Sequence, residues 1–169
     1  RHLKAQPVVP AQLYFDRIIT EVDNLMFSAG TRLSVYADLP RVSPDYHTGR
    51  GSIVELVVAP AEQLIGAPDD VLLETVLADF YRLHPAARGA RLLKYHFVRI
   101  PNSVYSARPG TDQYRPDQAT PVPNFFLAGD YTRQEFMASI EGAVRSARRV
   151  VERIDQAVAR QPQMVGTIP

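Results

Sequence analysis

The chain has no cysteine in 169 residues. That excludes disulfides, a thiolate nucleophile and cysteine zinc sites together, and it agrees with a cytoplasmic location. Net charge is only +1, with no basic stripe of interleaved aromatics, so nothing points to nucleic acid as a partner. Long hydrophobic runs are missing too. The longest, such as Ile53-Val54-Glu55-Leu56-Val57-Val58-Ala59, are too short to span a bilayer. No signal peptide is visible and the first residue is Arg1, so the chain is expected to be an excised or processed segment. The histidines, His2, His47, His84 and His96, include no pair three or four apart, which argues against a metal site. There is no Gly-x-Ser-x-Gly nucleophile elbow and no Gly-x-Gly-x-x-Gly phosphate-binding fingerprint.

What is present reads as an α/β chain, α+β within its own length. Residues 1–10 hold Pro7 and Pro10 and are expected to lead in to the first strand. Strands are expected at Ala11–Thr20, Leu33–Ala37, Ser52–Ala59 and Ala90–Ile100, from their β-branched and aromatic content. The stretch Pro40–Gly51, with two prolines and two glycines, reads as a loop. Val71, Leu72, Val76, Leu77, Phe80 and Leu83 recur at helical spacing, behind Asp69 or Asp70 as a cap and ahead of Pro85 as a stop. Five prolines between Pro101 and Pro123 suggest an extended surface connection. Gln161–Pro169 reads as a frayed tail.

The most telling stretch is Phe125-Phe126-Leu127-Ala128-Gly129-Asp130-Tyr131. It reads as a short buried strand, Asn124–Ala128, ending in a Gly-Asp turn. A long helix follows, with Ile140, Val144, Ala147, Val151, Ile154 and Val158 on one face and Arg145, Arg148, Arg149, Glu152 and Arg153 on the other. An acid on a turn beside a helix N-terminus can hold hydroxyls and an electron-rich edge at once. Gly142, in the first turn of this helix, costs about 1 kcal/mol against alanine. Two readings of it stay open: something approaches the backbone closely, or the helix packs tightly on its neighbours.

With Asn124–Thr132 and Met137-Ala138-Ser139-Ile140-Glu141-Gly142-Ala143, the chain resembles the C-terminal FAD signature of the plant and cyanobacterial carotene desaturases, within the flavin amine oxidase superfamily. The helix-start motif is shared across the superfamily. The likeness to phytoene desaturases extends upstream through Leu33–Asp38, Glu55–Glu62, Leu93–His96 and Pro101–Tyr105, in the same order, while Tyr114–Val122 is closer to zeta-carotene desaturases.

This resemblance implies part of a two-domain FAD-dependent oxidoreductase whose dinucleotide-binding half is missing. Residues 1–100, including the helix at 69–84, would belong to the substrate-binding domain. Residues 101–159 would be the C-terminal portion of the FAD-binding domain, and 160–169 a flexible tail. It implies that Asp130 hydrogen-bonds the ribityl chain of FAD, that Gly129 permits the turn, and that the Ile140 backbone beside Ser139 faces the pyrimidine edge of the flavin. Gly142 would let the helix lie near the ring. Glu141 is free to pair with Arg145 one turn on.

Tyr105 matches an aromatic near flavin and substrate, and a core tyrosine is an equally weighted reading. At position 102 the chain departs from phytoene desaturases, carrying Asn102 in place of arginine, so no anion or quinone contact is carried over there. The activity implied is removal of hydride and proton from a carotenoid or related polyisoprenoid, with a quinone acceptor and peripheral membrane contact in a bacterial cell. A squalene-type desaturase or dehydroxylase, an amine oxidase and a non-catalytic folded module are the alternatives. The chain alone is expected to bind FAD weakly or not at all, and to be inactive.

Overall fold

The computed structural model describes residues 2–47, 49 and 51–160. The chain divides into two compact units: Ala5–Val104, and the described residues of Arg1–Lys4 with Tyr105–Pro169. The expected tail at 161–169 lies outside the described residues.

The first unit is one six-stranded sheet with a helix on one face. Its strands are β1 (Ala5–Phe15), β2 (Met26–Phe27), β3 (Leu33–Asp38), β4 (Ile53–Val58), β5 (Leu92–Phe97) and β6 (Ile100–Tyr105). Their order is β2-β3-β4-β1-β5, with β6 also pairing β1. The β1–β4, β1–β5, β2–β3 and β3–β4 ladders are antiparallel, with Leu13 opposite Val54 on one side and Tyr95 on the other. Alternation then sends Val9, Leu13, Val54, Leu56 and Val58 to the same face, where they are buried. Leu72, Val76 and Phe80 of α2 (Asp69–Leu83) close over them. Phe80 stacks on Phe15 at 5.8 Å and meets Tyr36 edge-on at 6.1 Å.

Four sequence expectations need correction here. Residues 5–10 are not a lead-in but the first half of β1, so Pro7 and Pro10 lie inside a central strand. Pro7 sits past the β4 ladder, which ends at Val9 opposite Val58. Pro10 sits past the β5 ladder, which ends at Ala11 opposite Phe97, and its carbonyl accepts the Val98 N–H at 3.0 Å. Pro7 therefore removes no ladder bond, and the β5 ladder stops where Pro10 offers no N–H.

The expected strand Ala90–Ile100 is two strands, broken at Val98–Arg99 opposite Pro10, which has no N–H to continue the ladder. Its second part, β6, occupies the beginning of the stretch expected to be a connection. The expected loop after β3 opens with a short helix, α1 (Leu39–Val42), and a 3-10 turn at Pro44–Tyr46. Neither Asp69 nor Asp70 caps α2, whose N-cap is Pro68. Both lie inside the first turn, where a carboxylate still favours the helix dipole, and Asp69 takes the Arg99 guanidinium at 2.6 Å.

Polar groups in this unit are paired where they are buried. Asp79 of α2 accepts the Arg32 N–H at 2.9 Å and is flanked by Arg32 and Arg82. Asp38 accepts the Ser52 hydroxyl and, at 3.1 Å, the Ile53 N–H. Burial still holds its carboxyl above the usual carboxylate range. The His84 ring lies 3.1 Å from the Tyr36 hydroxyl, and burial pushes its basicity down.

Candidate functional site

The second unit has a different physical basis. No large apolar side chain between 105 and 160 is buried among the described residues; those that are buried are Ser106, Arg115, Gln118, Thr132, Gln134 and Ser146. After β6 the chain makes a 3-10 turn at Asp112–Tyr114, runs irregularly to Ser139, and enters α3 (Ile140–Arg160). The expected strand at Asn124–Ala128 is absent. Only a bridge between Ala119 and Phe126 forms, with the Leu127 N–H donating to the Gln118 carbonyl at 2.9 Å. A strand needs neighbours to take its backbone groups, and among the described residues this stretch has one bridge and no ladder. Phe125 is consequently exposed, not buried.

Arg115 organises the irregular segment. Its Nη1 donates to Asp112 Oδ1 at 2.9 Å and to the Gln134 carbonyl at 2.9 Å. Its Nη2 donates to the carbonyls of Thr132 and, at 3.4 Å, Asp130. Gln118 Nε2 reaches Thr132 Oγ1 at 3.1 Å and the Arg133 carbonyl at 3.0 Å. Gln134 spans the next stretch, donating to the carbonyls of Asp130 at 3.0 Å and Phe136 at 3.1 Å.

These bonds fix the Gly-Asp turn against α3. Gly129 donates its N–H to Ser146 Oγ at 3.1 Å, and Thr132 Oγ1 lies 2.6 Å from the same hydroxyl. Gly129 has φ +150°, and a Cβ there would lie 2.5 Å from the Tyr131 ring, so glycine is required. Asp130 is half-buried and its backbone carbonyl is used twice. Its carboxylate makes no hydrogen bond or ion pair among the described residues.

Ser139 caps α3. Its Oγ accepts the Gly142 N–H at 3.0 Å and donates to the Phe136 carbonyl at 2.7 Å. That leaves the N–H groups of Ile140 and Glu141 without a partner among the described residues, at the positive end of a 21-residue helix. The Ile140 side chain beside them is 86% exposed. Glu141 pairs with Arg145 at 2.7 Å, as the spacing allows.

Gly142 is buried, and a Cβ on it would fall 1.9 Å from the Phe136 carbonyl oxygen and 2.4 Å from Gln134 Nε2. What approaches its backbone is therefore the chain's own 134–136 loop. Tyr105 is half-buried, with its hydroxyl 3.3 Å from Thr111 Oγ1, and it also walls a hollow shared with Met137. Each of the two readings of this tyrosine has a feature in its favour.

The unit thus brings Gly129, Asp130, Ser139 and Gly142 into one hydrogen-bonded assembly. The arrangement offers a free carboxylate, and two free N–H donors at a helix start. A family model described as flavin containing amine oxidoreductase matches residues 1–155. The chain belongs to this family. It is 45% identical over 166 residues to a 15-cis-phytoene desaturase of Synechococcus elongatus, covering 96% of this chain and 34% of that protein. It is 35% identical to a protein of the same organism named "Probable zeta-carotene desaturase", covering 93% of this chain and 36% of the relative. The chain spans about a third of the length of these curated relatives. Among solved structures, an oxidoreductase from Methanosarcina mazei matches with a TM-score of 0.59 at 16% identity, covering 89% of this chain and 35% of that one; at that identity the likeness concerns the fold.

In this flavin family member, sequence reading missed the polar residues that build the site: Arg115, Gln118, Thr132, Gln134 and Ser146. One signal for them existed. Ser139, Gly142 and Ser146 are three and four apart, a small polar stripe along α3. The helix buries Gly142 and Ser146 of that stripe, while the expected apolar face is exposed, Val151 to 57% and Val158 to 62%. Among the described residues nothing covers that face, and none of their helices is long and apolar enough to cross a membrane.

Proposed function

We propose that this chain is the flavin-ring and substrate-facing part of an FAD-dependent desaturase acting on a carotenoid or related polyisoprenoid. The observation that carries the reading is the pair of unpartnered N–H groups of Ile140 and Glu141 at the capped start of α3, with the unpaired Asp130 carboxylate held in the same assembly. The named relatives, a phytoene and a zeta-carotene desaturase, supply the substrate class.

The residues present fit the cofactor. Asp130 would accept hydrogen bonds from ribityl hydroxyls, and Gly129 gives that turn its shape. The Ile140 and Glu141 N–H groups would stabilise negative charge on the pyrimidine edge, because a helix start carries roughly half a positive charge. FAD, when bound, supplies the acceptor for a hydride from an allylic carbon. Ser139 and Gly142 keep the donors aimed, the first by capping the helix and the second by letting the 134–136 loop close on it. Tyr105 would bound the substrate side. No conspicuous acid–base dyad is needed for such chemistry, since the cofactor carries the difficult step.

In the same reading, 1–100 contribute to the substrate-binding domain and 101–159 to the FAD-binding domain. A quinone as the electron acceptor is what the family resemblance implies, and a lipid-soluble substrate implies peripheral membrane contact through an apolar surface, on the cytoplasmic side of a bacterial membrane. The test is turnover. The full-length desaturase of which this chain is read as a part, supplied with FAD and a quinone, is expected to convert phytoene or zeta-carotene to products absorbing at longer wavelength. Conversion of amines only, or of none of the polyenes or squalene derivatives, would refute the reading.

A further inference from the structure

Gln134 joins the two features proposed to hold the flavin, and only 5% of it is exposed. Its Nε2 donates to the Asp130 carbonyl at 3.0 Å and to the Phe136 carbonyl at 3.1 Å. Its Oε1 accepts the Phe136 N–H. The Phe136 carbonyl also accepts the Ser139 hydroxyl at 2.7 Å, and that hydroxyl accepts the Gly142 N–H at 3.0 Å. A continuous line of hydrogen bonds therefore runs from the Asp130 turn, through the Gln134 amide, to the first turn of α3. The amide has one orientation there. Turned over, it would set its oxygen against two carbonyls.

The other ties in this unit act elsewhere. Arg115 holds the carbonyls of Asp130, Thr132 and Gln134, but bonds to nothing in 135–160 among the described residues. Ser146 fixes Gly129 to the second turn of α3, beyond the free N–H groups at its start. Among the described side chains, Gln134 is the one bonded both to the Asp130 backbone and to the loop that leads into the cap. Gly142 serves the same contact. A Cβ there would collide with Gln134 Nε2 as well as with the Phe136 carbonyl, so the missing side chain is the room in which the amide sits. The Asp130 turn and the N–H groups of Ile140 and Glu141 are thus ordered relative to each other before any ligand arrives, which removes that ordering cost from binding.

We propose that Gln134 is a positioning residue whose amide sets the separation between the Asp130 turn and the N–H donors of α3, so that one ligand engages both. This deepens the flavin reading and rests on it for the identity of that ligand. The coupling itself is a property of this chain.

The first measurement needs no flavin: amide hydrogen exchange of the chain and of its Gln134→Met variant, which is neutral and of similar length. The Thr132 N–H, bonded to the Gly129 carbonyl at 3.1 Å, and the Gly142 N–H are expected to exchange about tenfold faster together. Amides in the middle of α3, such as that of Val151, should keep their rates. Gln134→Glu keeps the shape and the acceptor but cannot donate to either carbonyl, and should do the same, so a methionine variant that fails to fold leaves the test intact. Acceleration at one of the two sites only, at neither, or equally along all of α3 would overturn the proposal. The second measurement is flavin affinity in the full-length desaturase of which this chain is read as a part. Asp130→Ala, costly in the parent, should cost less than about threefold in the Gln134→Met background. The bound flavin should also take a more negative midpoint potential in Gln134→Met, because the N–H donors no longer lie against its charge. An equal cost of Asp130→Ala in both backgrounds, or an unchanged potential, would overturn the positioning role. No cost of Asp130→Ala in the parent would refute the flavin reading instead, while the exchange result still decides the coupling.

Discussion

Replacing Gly142 by alanine is expected to destabilise the protein by about 2 kcal/mol, where an ordinary helical glycine would gain about 1 kcal/mol from the same change. The sign follows from the geometry. The new Cβ would lie 1.9 Å from a backbone carbonyl oxygen, that of Phe136, and 2.4 Å from the Gln134 amide that braces the loop. A flexible side chain could swing aside, but a backbone carbonyl held by Ser139 and Gln134 cannot do so without opening the helix cap. For a chain of this size the loss corresponds to a melting-temperature fall of roughly 4–8 °C. Thermal unfolding of the two proteins decides it, and a rise would show that the 134–136 loop does not close on α3 as described.

Removing Arg115 has the larger effect. Arg115→Met keeps much of the stem volume but strips the buried carbonyls of Gln134 and Thr132 of their donor. Each unsatisfied buried acceptor costs about 1–3 kcal/mol, giving a loss of about 2–6 kcal/mol. Lysine should rescue little, because a single ammonium cannot serve acceptors spread from Asp112 to Gln134. The loop carrying Asp130 should loosen with it, so limited proteolysis between 115 and 139 should accelerate alongside the drop in unfolding midpoint. A midpoint unchanged in Arg115→Met would mean that the unit is held by something other than this network.

How much of this was legible in the sequence follows the kind of force at each place. The first unit could be read closely: β3, β4 and α2 declare themselves because alternation and helical spacing mark surfaces that must be buried. The prolines of β1 misled because their tolerance depends on where neighbouring ladders stop, which is a tertiary fact. The Gly129-Asp130 turn and Gly142 stand out from the sequence because turn chemistry and helix propensity are local, whereas Ser139 entered through the family resemblance and its role as the cap of α3 is seen only in the structure. The supporting residues do not stand out. Arg115, Gln118 and Gln134 look like solvated surface residues, and only the folded chain shows them buried and bonded to carbonyls as many as nineteen positions away. For α3 the period marks an apolar face, but period alone does not say which face is covered: among the described residues the small face of Gly142 and Ser146 is the one buried.

If Asp130 and the start of α3 hold FAD, the effect is read most directly as flavin affinity in the Asp130→Ala variant of the full-length desaturase of which this chain is read as a part, set beside its unfolding midpoint without flavin. The carboxylate makes no bond among the described residues, so the midpoint should stay within about 0.5 kcal/mol of the parent, as surface substitutions do. Loss of a hydrogen bond to a charged group should weaken FAD binding by roughly ten- to a hundredfold. Unchanged flavin affinity, or a loss of affinity matched by an equal loss of stability without flavin, would contradict it.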